Sequence, residues 1–190
     1  GLIAPHEFLS VAEETGLVTQ LDEWVQRRAF TDVVEWRRSG LGEVRLSVNM
    51  SAQQLESEAF LSRFLALLEG SGMPAELVKI EITENAIMRD MEVIVPKLRA
   101  LRKAGIRIAI DDFGTGFSSL SHLRHLPVDT LKIDKSFVAD INGDDRRAAE
   151  SGGAAIVAAV TGLARGLGLE VVAEGVERPS QLAFLRELGC

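Results

Sequence analysis

The sequence predicts an α/β fold on a parallel sheet, of the eightfold-barrel type, with about five strand–helix units in its 190 residues. Three observations carry this. Five short apolar segments begin near residues 44, 78, 106, 130 and 170, so successive starts lie 24 to 40 residues apart. That is the length of a strand plus the crossover helix that returns the chain to a parallel neighbour. Segments of helical spacing fill the intervals. No Gly-x-Gly-x-x-Gly follows the first strand, which removes the dinucleotide fingerprint of doubly wound sheets and favours the barrel. A closed barrel takes about 250 residues, so further strands are expected beyond the ones read here.

The elements follow in order. An N-terminal helical stretch leads into a helix from Asp22 to Ser39, which carries Trp24 and Trp36 and ends on Arg37-Arg38, where cations suit the negative pole of the helix dipole. The strands are Val44 to Val48, Val78 to Ile82, Ile106 to Ile110, Thr130 to Ile133 and Glu170 to Ala173. Each is preceded by a turn or helix-stop signal: Gly40-Leu41-Gly42, Gly72-Met73-Pro74, Gly105, Pro127 and Gly166-Leu167-Gly168. Helical spacing relates Phe60, Phe64, Leu67 and Leu68, then Val93, Val95, Leu98 and Leu101, then Ile156, Val157, Val160 and Leu163. Asn142 to Gly153, rich in Gly, Asp and Arg, reads as a long mobile loop that enters a helix at Ala154. Residues 1–190 read as one domain without repeats.

Composition narrows the function classes. With 21 Lys and Arg against 28 Asp and Glu, the formal charge is −7, which excludes attraction to duplex nucleic acid or an anionic bilayer by bulk charge. Cys190 is the sole cysteine, so no intrachain disulfide forms and a reducing cytoplasm is the expected compartment. No apolar run approaches the roughly 18 to 20 residues that cross a bilayer. No membrane contact by this domain is expected, although a parent protein anchored elsewhere is compatible with it.

Polar residues gather where the strands end: Asn49, Glu81 with Glu84, Asp111-Asp112, Lys132, and Glu174 with Glu177. In parallel α/β folds the loops at that edge converge on one mouth. Carboxylates brought so close repel by several kcal/mol at a protein-like dielectric, and hard oxygen donors without thiols suit Mg²⁺ or Mn²⁺. The adjacent Asp111 and Asp112 are suited to two ions, one carboxylate bridging and its neighbour, pointing the other way, reaching only the second ion. Lys132 adds a fixed positive charge that orients a water or a phosphate oxygen. Together these describe phosphoester hydrolysis. The loop that follows, with Gly114, Thr115, Gly116 and Ser118, is expected to turn backbone N–H groups and hydroxyls toward a phosphate. Taken singly, each acid is as well explained as a helix cap or turn former, and Lys132 as a structural ion-pair partner. His122 and His125, at i and i+3, read as a solvated helix face, and His6, Glu13-Glu14 and Arg27-Arg28 as ordinary exposed residues.

Several ordered stretches resemble the EAL domain, the bacterial cyclic di-GMP phosphodiesterase. They are Ser47 to Leu55, Ile80-Glu81-Ile82-Thr83-Glu84, Asp111 to Leu120, Leu126 to Asp134, and Val172-Ala173-Glu174-Gly175-Val176-Glu177. The resemblance covers nearly the whole chain, including Pro5, Phe8 and Ala12-Glu13. It implies a modified TIM (β/α)8-type barrel with one antiparallel strand, and hydrolysis of one phosphodiester of cyclic di-GMP to the linear pGpG. By motif, Asn49, Glu81 and Asp111 would hold a first Mg²⁺ or Mn²⁺, with Asp111 bridging to a second ion on Asp112. Lys132 would position the attacking water, and Glu174 would serve as base or metal-site partner. Glu84 would brace the Asp112 to Ser119 loop, which in this family couples the site to a dimer interface. Glu177 would support the site from behind. A homodimer, and sensory or GGDEF-type domains in the parent protein, are further implications.

The chain departs from the family pattern in four places. The Glu-Ala-Leu motif would precede Gly1, the late Gln-Gly segment would follow Cys190, Phe117 stands where Tyr is expected, and the Asn142 to Gly153 loop is longer than usual. The functional protein is therefore expected to contain more residues than these. Two other readings compete with the hydrolase: a noncatalytic cyclic di-GMP receptor of the same fold, and, from the residues alone, a barrel aldolase or isomerase using Lys132 as a Schiff-base amine.

Overall fold

The computed structural model describes residues 3–116, 123–141 and 152–190. The chain packs as two compact units, Gly1–Ile80 with Glu92–Arg107, and Glu81–Met91 with Ile108–Cys190. The five strands are β1 (Leu46–Asn49), β2 (Val78–Thr83), β3 (Arg107–Phe113), β4 (Thr130–Ile133) and β5 (Glu170–Ala173), in one sheet of order β1-β2-β3-β4-β5. Sequence order and spatial order coincide, as strands joined by helical crossovers to the next parallel neighbour require. This is the α/β, barrel-type arrangement of about five βα units that the periodicity predicts.

In the first unit, helices α1 (Pro5–Glu14) and α2 (Val18–Arg38) precede β1. α2 begins four residues ahead of the expected Asp22, and it carries both tryptophans with their side chains largely in solvent. Short α3 (Ala52–Glu56) is started by Ser51, whose hydroxyl accepts the Gln54 N–H. α4 (Phe60–Ser71) buries Phe60, Phe64 and Leu68 at i, i+4 and i+8 and stops at Gly72 in the left-handed conformation. Phe64 meets Phe30 of α2 edge to face at 5.8 Å. α6 (Met91–Lys103) buries Ile94, Leu98 and Leu101, and its Lys97 ammonium donates to the carbonyls of Leu55, Glu56 and Ser57, where α3 ends. Gln26 and Gln54, both buried, pair their amides reciprocally at 3.1 and 3.3 Å.

In the second unit, β4 is buried throughout and pairs in parallel with β5, Thr130 opposite Glu170 through Ile133 opposite Ala173. β3 pairs in parallel with β4 through Ala109 and Ile110, and the register then slips before Phe113 meets Ile133. Helices α5 (Glu84–Arg89), α7 (Lys135–Ala139), α8 (Gly152–Leu167) and α9 (Pro179–Leu188) complete it. Ile108, Leu131, Ile133, Val138, Val157 and Ala164 form its core. α8 begins two residues before the expected Ala154; residues 142–151 of the expected loop lie outside the described residues. No helix among the described residues is long and apolar enough to cross a membrane.

Candidate functional site

β3 is longer than its apolar run suggests. The strand continues through Asp111 and Asp112 to Phe113, so the acidic pair lies inside it rather than after it. In a regular strand, neighbouring side chains point to opposite faces, and two adjacent carboxylates cannot converge. Here the register slips between Ile110 and Phe113, and Asp112 takes a φ of +51°, the one non-glycine residue in that region among the described residues. An irregularity of this kind re-aims a side chain. Asp111 and Asp112 consequently converge with Glu174, which follows β5: one carboxylate oxygen from each lies within 4.8 Å of the others.

Lys132, in the middle of β4, is only 8% exposed. Its ammonium donates to Asp111 at 2.9 Å, to Glu174 at 2.7 Å and, closer still, to Glu81 of β2. Burial opposes its charge, but the hydrogen bonds it donates to Glu174, Glu81 and Asp111 outweigh that penalty and hold the lysine well above its ordinary value. Asp112 is likewise held above the value of a free carboxyl group. Burial raises it first, then the negative charge of Asp111, a hydrogen bond with Asp134, and the charges of Asp134 and Glu174. Asp134 is held low, chiefly by the Ser136 hydroxyl and despite some burial; it also accepts the Ser136 N–H at 2.9 Å and so starts α7.

Three carboxylates, those of Glu81, Asp111 and Glu174, therefore accept from one ammonium, and two of them also converge with Asp112. This donor set is all oxygen and carries excess negative charge, which fits a hard divalent ion. Asp111, Asp112 and Glu174 are the residues that would hold it. Glu81, grouped by motif with Asp111 around a first ion, is here engaged by Lys132. Asn49 ends β1 in the first unit with its side chain exposed.

The loop after β3 is braced from α5. Glu84 is 2% exposed and accepts the Gly114 N–H at 3.0 Å through Oε2, while its Oε1 has no partner among the described residues. Gly116 must lack a side chain, because a Cβ there would stand 2.8 Å from Glu84 Oε1 and 2.9 Å from Asn85 Oδ1. The Gly114 N–H is taken by Glu84, and the Thr115 N–H and hydroxyl both donate to the Asp112 carbonyl. These bonds shape the loop from within and from α5. Ser118 and His122 lie outside the described residues, and His125 is exposed. Glu177 is also exposed, and its N–H bonds Gln181. Sequence reasoning assigned no role to Asp134, although an acid placed at a strand end directly before a helix was the signal for it.

Comparison with known proteins follows this geometry. A profile described as the EAL domain matches residues 1–190. The chain is 42% identical over 190 residues to the Pseudomonas aeruginosa protein named cyclic di-GMP phosphodiesterase NbdA, covering all of this chain and 24% of that protein. It is 42% identical over 191 residues to the bifunctional diguanylate cyclase/cyclic di-GMP phosphodiesterase MucR of the same organism, covering 27% of it. The chain thus spans about a quarter of the length of these curated relatives. Among solved structures, the PaMucR phosphodiesterase in complex with c-di-GMP superposes with a TM-score of 0.91 at 39% identity, covering all of this chain and 74% of that one.

Proposed function

This chain belongs to the EAL domain family, and on that premise we propose that it hydrolyses one phosphodiester of cyclic di-GMP to give the linear dinucleotide pGpG in the cytoplasm. The observation that carries this reading is the convergence of Asp111, Asp112 and Glu174 beside the Lys132 ammonium. Asp111, Asp112 and Glu174 would hold one Mg²⁺ or Mn²⁺, and Glu81 and Asp111 a second. Bound there, such ions supply Lewis acidity toward the phosphoryl oxygens and toward a water that becomes the nucleophile.

The chain's own residues do the rest. Lys132, charged at every physiological pH, fixes Glu81, Asp111 and Glu174 relative to one another and presents N–H donors to an attacking water or a phosphoryl oxygen. Glu174 stands both in the acidic cluster and on the ammonium, placed to accept the water's proton as the phosphorus–oxygen bond to the ribose breaks. Glu84 holds the loop at Gly114, so substrate meets a preformed wall. The homodimer, and sensory or GGDEF-type partner domains in the parent protein, belong to the same proposal.

The test is incubation of the intact protein with cyclic di-GMP and Mg²⁺ or Mn²⁺, with nucleotides separated by chromatography and ion stoichiometry measured by calorimetry. Divalent-dependent appearance of pGpG, lost on replacing Asp111 or Lys132 with Ala, is expected. Tight nucleotide binding without turnover would replace the hydrolase with a receptor. A borohydride-trapped adduct on Lys132 would indicate amine chemistry instead.

A further inference from the structure

α7 has five residues, far short of what sustains a helix alone, so its position depends on what ties its ends. Its N-terminus is tied by Asp134, which follows β4 directly and caps the helix. Its C-terminus is tied by the loop that carries Glu174. Arg178 donates from Nη2 to the carbonyls of Ala139 at 2.9 Å and Ile141 at 2.7 Å, where carbonyls left free by the helix end gather negative charge. Gln181, 2% exposed, accepts the N–H groups of Glu177 and Arg178 at 2.9 Å each, and donates to the Val138 carbonyl at 2.9 Å. Between these ties and Glu174, Gly175 takes a φ of +68° and passes so close to Lys135 that a Cβ would lie 2.6 Å from the Lys135 Cβ. The Glu174 N–H itself bonds the Ile133 carbonyl at 3.1 Å.

We propose that Arg178 is a positioning residue for Glu174: by clamping the β5–α9 loop onto the C-terminal end of α7, it fixes the separation of Glu174 from the Asp111–Asp112 pair. The inference rests on the metal-site reading given above and deepens it. α7 then acts as a strut, with the end of β4 on one side and the anchor of Glu174 on the other. Guanidinium is suited to this because its fork reaches two carbonyls at once. Arg165 supplies an internal comparison. It too donates to a backbone carbonyl, that of Leu188 in α9, but it ties no loop bearing a site residue.

The experiment uses the intact protein in four forms: wild type, Arg178→Met, Arg178→Lys and Arg165→Met. Amide hydrogen exchange at Glu174, Gly175, Glu177 and Arg178 is read without metal, and Mn²⁺ binding is read from the paramagnetic resonance of the free ion. Arg178→Met is expected to speed exchange at those amides and to weaken Mn²⁺ binding about tenfold, the usual cost of losing a group that orients a ligand. Arg178→Lys is expected to recover part of both effects, and Arg165→Met to lower Tm while changing neither. Arg178→Met that behaves like Arg165→Met, with wild-type exchange and wild-type Mn²⁺ affinity, overturns the proposal. Should the wild type bind no Mn²⁺, the metal-site reading falls, and the exchange comparison between the two methionine variants still decides the clamp.

Discussion

Replacing Lys132 with Met removes the cation and keeps most of the side-chain volume. Each ion pair, at 2.7 to 2.9 Å, represents a gross attraction of about 6 kcal/mol at an effective dielectric of about 20. Desolvation consumes most of that, and removing one partner of a buried pair costs about 3 to 5 kcal/mol net. Because the Glu174 side chain is 37% exposed, the low end applies, about 3 kcal/mol. Amide exchange of β4 and β5, read at pH 7 in the presence of a chelator, should therefore speed by roughly 100-fold. The lysine is held above its free value, so its contribution is complete below about pH 10.4 and is lost only as pH rises through the folded value. The deficit of the variant should be constant from pH 7 to 9, and should shrink in acid as the abandoned carboxylates take up protons. Added Mg²⁺ should restore part of the protection. Unchanged exchange at pH 7 would refute the argument, because the ammonium would then be holding nothing together.

Other outcomes follow from the same geometry. Asp112→Asn tolerates the positive φ, so Tm should stay near wild type while divalent affinity falls at least tenfold and turnover disappears; wild-type turnover would count against the cluster. Gly175→Ala incurs about 1 to 2 kcal/mol for its backbone conformation and collides with Lys135, so calorimetry should show a lower Tm and kinetics a lower kcat. Glu84→Ala should raise KM for the dinucleotide several-fold by releasing Gly114, whereas Glu84→Gln, which keeps an acceptor for that N–H, should sit close to wild type. In acid, Asp112, raised by burial and by neighbouring negative charge, should lose its capacity for ions at a pH above the ordinary aspartate value of about 3.9. Asp134, held low, should contribute stability above about pH 3.9 that is lost as pH falls through its folded value. Calorimetric ion titration and acid unfolding of Asp134→Asn check the two.

Much of this was legible beforehand because apolar runs and turn signals are local. β4 and β5 occur at the expected residues, and β1, β2 and β3 begin within two residues of expectation. Lys132 beside Glu81, Asp111 and Glu174 followed from polar groups placed at strand ends. The slip in β3 did not, since Ile108-Ala109-Ile110 reads as an ordinary buried strand and the bend depends on pairing with β4. Nor did the short helices α3, α5 and α7, whose five or six residues offer too few turns for a periodic pattern. Their starts were present in the letters: Ser51, Thr83 and Asp134 each cap one. The bonds that Gly114 and Thr115 make were not legible either, because a sequence does not show that Glu84 and the Asp112 carbonyl accept from them.

The chain has two tryptophans and no tyrosine, and both indoles ride on α2, in the first unit. The acidic cluster belongs to the second. Intrinsic fluorescence therefore reads the melting of the first unit, and a thermal scan followed at the indoles is a stability measurement of that part of the chain.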